Sequence, residues 1–229
     1  SSGTAILYTI ATNNMRYLIA NWKSHHTVTQ TMVWLEDIAK RQLSIDPETK
    51  VVICLPYTDI AEFNRQAALF GLPFHAGAQN VSPFPEGRHT GEISSYMLSE
   101  LVSYCLVGHS ERRLEFKETS DVVASKTKLL LEYSITPIIC VDQPYIDEQL
   151  KELFKLEIDI SKCLFVYEPL AAVGTGKPAD PISVNHVASN ISFLAQGSCP
   201  ILYGGSVNPQ NIREFTTQSN ISGVLVGQD

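Results

Sequence analysis

No stretch of these 229 residues approaches the roughly 18 consecutive apolar residues that cross a bilayer, so no transmembrane helix is predicted. Positive charge is also scarce. Seventeen Lys and Arg against 24 Asp and Glu leave a net charge of −7, which argues against a general binder of nucleic acid or anionic membrane. It does not exclude an anionic small molecule, because backbone amides and single lysines bind phosphate inside acidic proteins. The five cysteines (54, 105, 140, 163 and 199) are odd in number and have no C-x-x-C spacing. They lie in or beside apolar runs, where cysteine behaves as a small buried hydrophobe, so reduced thiols and a cytoplasmic setting are expected. The six histidines show no H-E-x-x-H or similar spacing, and no metal is expected. Neither Ser110 nor Ser206 sits in G-x-S-x-G, which removes the support for a serine hydrolase. "GTGK" (174–177) fails as a nucleotide P-loop, with Ala171 where glycine is required and Pro178 where Ser or Thr is required.

What is present is a regular alternation. Short continuous apolar runs occur at 17–21, 51–56, 73–78, 104–109, 137–141, 163–168, 200–204 and 223–227. Continuous rather than alternating runs are how strands buried on both faces of a parallel sheet read. Helical periodicity fills the intervals, as in 27–42, where Val28, Met32, Leu35, Ile38 and Ala39 share a stripe. Strand then helix with no composition break predicts βαβ units in one domain, and eight of them predict an α/β fold of the (β/α)8 TIM-barrel type. The eighth run reaches the end of the chain at Asp229, so its helix is expected to be missing. Residues 1–14 are set aside as a non-native extension, Ser1-Ser2-Gly3 reading as a cloning scar and Met15 as a natural start; residues 15–229 are read as the barrel. The segment 76–94 is a long, Pro- and Gly-containing loop of the kind that is functional or disordered.

In a parallel barrel all strand C-termini open on one face, where active sites are found. The polar residues sort to that end: Asn21 and Lys23 after the first run, His109 and Glu111 after the fourth, and Glu168 with a glycine loop after the sixth. Gly204, Gly205 and Ser206 follow the seventh run and Gly227 the eighth. Singly, each has a plain alternative: a strand-end carboxylate is more often a cap, a lone His a structural hydrogen-bonder, a lone Lys a solvated cation. Together they fit proton abstraction beside a carbonyl. Glu168 would be the base and His109, at a helix N-terminus, a neutral donor to the enediolate oxygens. Lys23 and Asn21 would balance the charge, while Gly174, Gly205, Ser206 and Gly227 offer amides to a phosphate.

"NWK" (21–23), "AQN" (78–80), "TGEIS" (90–94), "GHSERR" (108–113), "YEP" with "GTGK" (167–177) and "YGGSV" (203–207) closely resemble the signatures of the triosephosphate isomerase family, from about Arg16 to Gly227. That family is itself the standard worked case of a glutamate base, a neutral histidine electrophile and a closing lid. The resemblance implies interconversion of dihydroxyacetone phosphate and glyceraldehyde 3-phosphate, a step of glycolysis and gluconeogenesis, without cofactor or metal. Glu168, His109, Lys23, Asn21 and Glu111 would form the catalytic group. Gly174, Gly204, Gly205, Ser206, Gly227 and Gln228 would hold the phosphate. Pro169, Leu170, Ala171, Ala172, Val173, Gly174, Thr175, Gly176 and Lys177 would form the lid. The loop 76–94 resembles the family's dimer arm. It implies a homodimer in which Thr90 buttresses the partner's site and Gly91, Glu92 and Arg112 line the interface.

The sequence departs from that pattern in three places. Ala171 stands where the family has Trp, and Asp142-Gln143 where it has Gly-Glu; in the family that Trp and Glu meet when the lid closes, so a less well latched lid and lower turnover are expected. Gly227 is followed by Gln228 rather than a second glycine. Two other readings stay open: another phosphate-using barrel, such as an epimerase or a tryptophan-pathway isomerase, and a catalytically weak scaffold that keeps the fold.

Overall fold

The computed structural model describes residues 16–227 except 42, 144, 173–174 and 197–198. The expected extension 1–14, the lid residues Val173 and Gly174, and Gln228 lie outside the described residues.

All eight apolar runs are strands: β1 (Arg16–Asn21), β2 (Thr49–Leu55), β3 (Phe74–Ala78), β4 (Tyr104–Val107), β5 (Thr136–Val141), β6 (Leu164–Tyr167), β7 (Ile201–Tyr203) and β8 (Gly223–Val226). They pair in parallel in sequence order, and β1 pairs with β8, so the barrel is closed. Closure leaves no sheet edge with unpaired backbone groups. The helices α1 (Val28–Lys40), α2 (Ile60–Leu69), α3 (Ser95–Leu98), α4 (Ser110–Glu115), α5 (Ser120–Glu132), α6 (Ile146–Lys155), α7 (Pro181–Leu194) and α8 (Ile212–Thr216) lie between the strands in the chain.

The strand pleat divides the core in two. Ile19, Val52, Cys54, Leu106, Ile138, Cys140, Val166, Leu202 and Leu225 fill the barrel interior. Their chain neighbours, such as Val51, Ile53, Leu55, Ile139 and Phe165, pack outward with helix residues that include Leu35, Phe63, Leu130 and Ile191. Both faces are therefore apolar, which is why the sequence shows unbroken runs instead of alternation. The helix termini follow local chemistry. Thr27 and Gln30 close a capping box at α1, and Asp180 caps α7, with Pro181 in its first turn. The expected stripe on α1 is only partly observed. Leu35 is buried but Val28 is exposed, and Thr31 is buried in its place because its hydroxyl donates to the buried Asp59 carboxylate at 2.6 Å.

All five cysteines are free thiols. Burial pushes Cys54, Cys105 and Cys140 well up and Cys163 and Cys199 to about 12, so none of them is a ready thiolate.

Candidate active site

The interior set of side chains runs on past the strand ends into the barrel mouth. On β6, Leu164 and Val166 face inward, and Glu168 follows them two residues later. Its backbone N–H still donates to Val141 O (2.8 Å), which keeps the residue in sheet geometry. Glu168 is 1% exposed and His109 5%. Glu168 Oε1 lies 3.2 Å from His109 Nε2, and Oε2 accepts the Ser110 backbone N–H at 3.3 Å. The sequence placed Ser110 in a motif but gave it no contact; its N–H belongs to the first turn of α4, one of the donors a helix leaves unpaired.

His109 is the N-cap of α4, as expected from its place after β4. Its Nδ1 accepts the Glu111 backbone N–H at 3.3 Å, and only an unprotonated ring nitrogen accepts. This network assigns the imidazole proton to Nε2, facing Glu168. The Glu111 carboxylate stands 3.6 Å from Nδ1, beyond hydrogen-bond reach, and instead binds Lys23 Nζ at 2.8 Å.

Lys23 has a φ of 51°, a left-handed backbone that costs a non-glycine residue about 1–3 kcal/mol and persists only when its surroundings hold it. Here Asn21 Oδ1 accepts the Lys23 N–H (3.0 Å), and Gln79 Nε2 donates to Lys23 O (2.8 Å) and to Cys54 O (3.0 Å). Gln79 stands in the quoted "AQN" motif, but its partners become visible only once β1, β2 and β3 are adjacent. Gly204 and Gly205 are packing requirements. A Cβ at Gly204 would lie 2.5 Å from Val166 Cγ1 and 3.0 Å from Glu168 Cγ, and one at Gly205 would overlap the Tyr203 hydroxyl. Gly227 faces the Lys23 stem, with a Cβ there 3.8 Å from Lys23 Cε.

The segment after Glu168 is held at several points. The Ala172 N–H donates to Pro169 O (2.8 Å), and Ala172 O accepts both the Ser206 N–H (3.0 Å) and its hydroxyl (2.8 Å). Thr175 Oγ1 accepts the Lys177 N–H (3.2 Å). Tyr203, stacked on Phe215, accepts the Ala179 N–H at 2.8 Å, a contact that nothing in the sequence signalled. Leu170, Ala171, Thr175, Gly176 and Lys177 are exposed, and so is Gln143.

Thr90, Gly91 and Glu92 are exposed on the loop between β3 and α3, apart from this group. Arg112, half-buried, donates to Glu118 Oε2 at 2.7 Å. Glu118 also takes Lys126 Nζ at 2.5 Å and the Gly108 N–H at 3.1 Å, and Lys126 reaches Asn80 Oδ1 on the loop at 2.7 Å. Burial alone would raise the Glu118 carboxyl, but Lys126 and Arg112 outweigh it and hold it below the usual carboxylate range. Among the described residues no group of His, Cys, Asp or Glu is placed to hold a metal, and no helix is long and apolar enough to cross a membrane.

A closed parallel barrel with a buried carboxylate–imidazole couple at its C-terminal mouth is a TIM barrel with a candidate acid–base site in the place where such barrels carry out chemistry. Comparison with known proteins narrows the class. The family model described as triosephosphate isomerase matches residues 16–229. A triosephosphate isomerase of Dictyoglomus turgidum is 38% identical over 234 residues, covering 93% of each chain. Those of Mesomycoplasma hyorhinis (37% over 228 residues) and Nostoc sp. (36% over 222 residues) each cover 92% of this chain and 91% of their own. The chain belongs to the triosephosphate isomerase family and is an isomerase.

Proposed function

We propose that the protein interconverts dihydroxyacetone phosphate and D-glyceraldehyde 3-phosphate through an enediolate, without metal or cofactor. Glu168 moves the proton between the two carbons and His109 Nε2–H donates to the two oxygens. The Lys23 ammonium, set in place by Asn21, Gln79 and Glu111, balances the charge that develops. Gly174, Gly204, Gly205, Ser206, Gly227 and Gln228 make up the phosphate site, with Gly204 also leaving room for Glu168; the Ser206 N–H, which donates to Ala172 O in this structure, would exchange that partner for a phosphate oxygen. Residues 169–177 close over the site and exclude water, which suppresses phosphate loss from the intermediate. The observation that carries this reading is the 3.2 Å approach of His109 Nε2 to Glu168 Oε1 inside the barrel mouth. Substrate entry would part the two groups and give each one a reacting atom.

The working unit we infer is a homodimer, with Thr90, Gly91, Glu92 and Arg112 at the interface. Phe84, Tyr96, Met97, Leu114 and Phe116 are exposed on the arm, α3, α4 and the residue after α4, an apolar surface suited to a second copy.

A coupled assay for glyceraldehyde 3-phosphate isomerisation, with Glu168→Asp alongside, tests the reading. Shortening the base by one methylene withdraws it by about 1 Å, and kcat is expected to fall about a hundredfold or more with KM little changed. A second reading, a weakened scaffold that keeps the fold, draws on the exposure of Ala171 in the lid and of Gln143 after β5. Absence of turnover in a folded wild-type protein would establish the scaffold reading instead.

A further inference from the structure

Arg113 is 8% exposed, yet its guanidinium faces two carbonyls and a ring rather than a carboxylate. Nη1 donates to Gly108 O and to Cys140 O (2.7 Å), and the guanidinium carbon lies 5.0 Å over the Tyr145 ring. Its Nε and Nη2 find no partner among the described residues. Gln149 Nε2 already donates to the same Cys140 O at 3.2 Å, so a neutral amide is able to bind this carbonyl. Burying a cation costs several kcal/mol even after relaxation, which makes an arginine with idle donors a poor choice for stability alone.

The location supplies the reason. The β4–β5 ladder runs in register up to Val107 opposite Ile139, and the next pair would be Gly108 opposite Cys140. Gly108 leaves the strand with a φ of 68°, turning the chain so that His109 can begin α4, and the ladder stops there. Arg113 Nη1 bridges those two carbonyls where the next rung would have been. On one side of the clamp the following residue is His109. On the other, the following residue is Val141, whose carbonyl accepts the Glu168 N–H. A planar, rigid guanidinium sets the spacing of two carbonyls more tightly than a flexible ammonium does.

From this geometry we propose that Arg113 is a positioning residue for the isomerisation: it fixes the ends of β4 and β5, and through them the relative placement of His109 and Glu168. The proposal rests on the isomerase reading of those two residues. Tyr145, beneath the guanidinium, and Gln149, sharing the Cys140 carbonyl, hold the clamp in turn.

The test compares wild type with Arg113→Lys, Arg113→Ala and Tyr145→Leu in the same isomerase assay, with Tm and circular dichroism on each. In folded Arg113→Lys, kcat is expected to fall about ten- to a hundredfold with KM within about threefold, since misplacement of a reacting group by 1 Å costs up to about a hundredfold. Millimolar guanidinium is expected to restore part of the Arg113→Ala rate, and ethylammonium is not. Should Arg113→Ala fail to fold, a kcat loss in Tyr145→Leu at unchanged KM carries the same meaning. Wild-type kcat in folded Arg113→Lys and Tyr145→Leu, or activity lost only in proportion to the unfolded fraction, would overturn the proposal. An inactive wild type would instead refute the isomerase reading on which it rests.

Discussion

At the scale of single residues, the site is built by sharing. His109 Nδ1 accepts the Glu111 N–H, which sets the tautomer, and the ring so held turns Nε2 to 3.2 Å from the Glu168 carboxylate. Glu168 occupies a slot that exists because residue 204 has no side chain. Gly204→Ala would place a methyl 3.0 Å from Glu168 Cγ and 2.5 Å from Val166 Cγ1, closer than real Cβ atoms approach. Overpacking of this kind costs about 1–3 kcal/mol of stability. The methyl presses on Val166 first and on Glu168 next; if Glu168 is the base proposed above, kcat is expected to drop by about ten- to a hundredfold. Thermal melts and steady-state kinetics on one preparation check both effects; full activity in Gly204→Ala would mean that Glu168 is not held where the structure puts it.

At the scale of elements, the segment between β6 and α7 combines anchoring with exposure. Ala172 is bound twice by Ser206, and Ala179 is bound by Tyr203, so the segment is tied at two points to the end of β7 and the turn after it. Ala171, just before the first anchor, and Gln143, in the connection between β5 and α6, are the positions at which the family carries a Trp and a Glu, and both are exposed. The latch that those two side chains form in the family has no counterpart in Ala171. Introducing Ala171→Trp and Gln143→Glu separately and together is expected to raise kcat more in the double variant than the single effects predict. The coupling expected for neighbouring side chains is about 0.5–3 kcal/mol. Additive single effects would show that the two departures are independent and that closure is not limited by this latch.

For the whole molecule, the barrel places every candidate catalytic group on one rim and the arm on its flank. The Asn80–Lys126–Glu118–Arg112 chain ties the arm to α4 and α5, while Glu118 also takes the N–H of Gly108 directly before His109. The arm and the residue before His109 thus share one polar network. If Thr90 supports the partner's Asn21, Lys23 and Glu111, then Thr90→Arg is expected to shift sedimentation from dimer to monomer and to lower kcat about tenfold or more, a change of about 1.4 kcal/mol in the barrier. Wild type that sediments as a fully active monomer would refute the dimer.

The sequence alone determined the strands. Each is buried on both faces, so its apolar run is continuous and short, and all eight were legible to within two residues at either end. It also placed Glu168, His109 and Lys23 just past strand ends, positions that can be counted along the chain and that open on one rim of a parallel barrel. Helix extent was less legible: α3 and α8 span four and five residues and have too few turns to show a period. What only the tertiary structure decided is who meets whom. The Ser110 N–H on Glu168, Gln79 on Lys23, Tyr203 on Ala179 and Arg113 on the carbonyls of Gly108 and Cys140 are choices of partner. Three of them join residues of different strands or loops, and the Arg113 clamp reaches across to β5. A hydrogen-bonding side chain announces its donors and acceptors in the sequence, but which distant carbonyl it reaches is fixed only when the closing of the barrel brings the strands side by side.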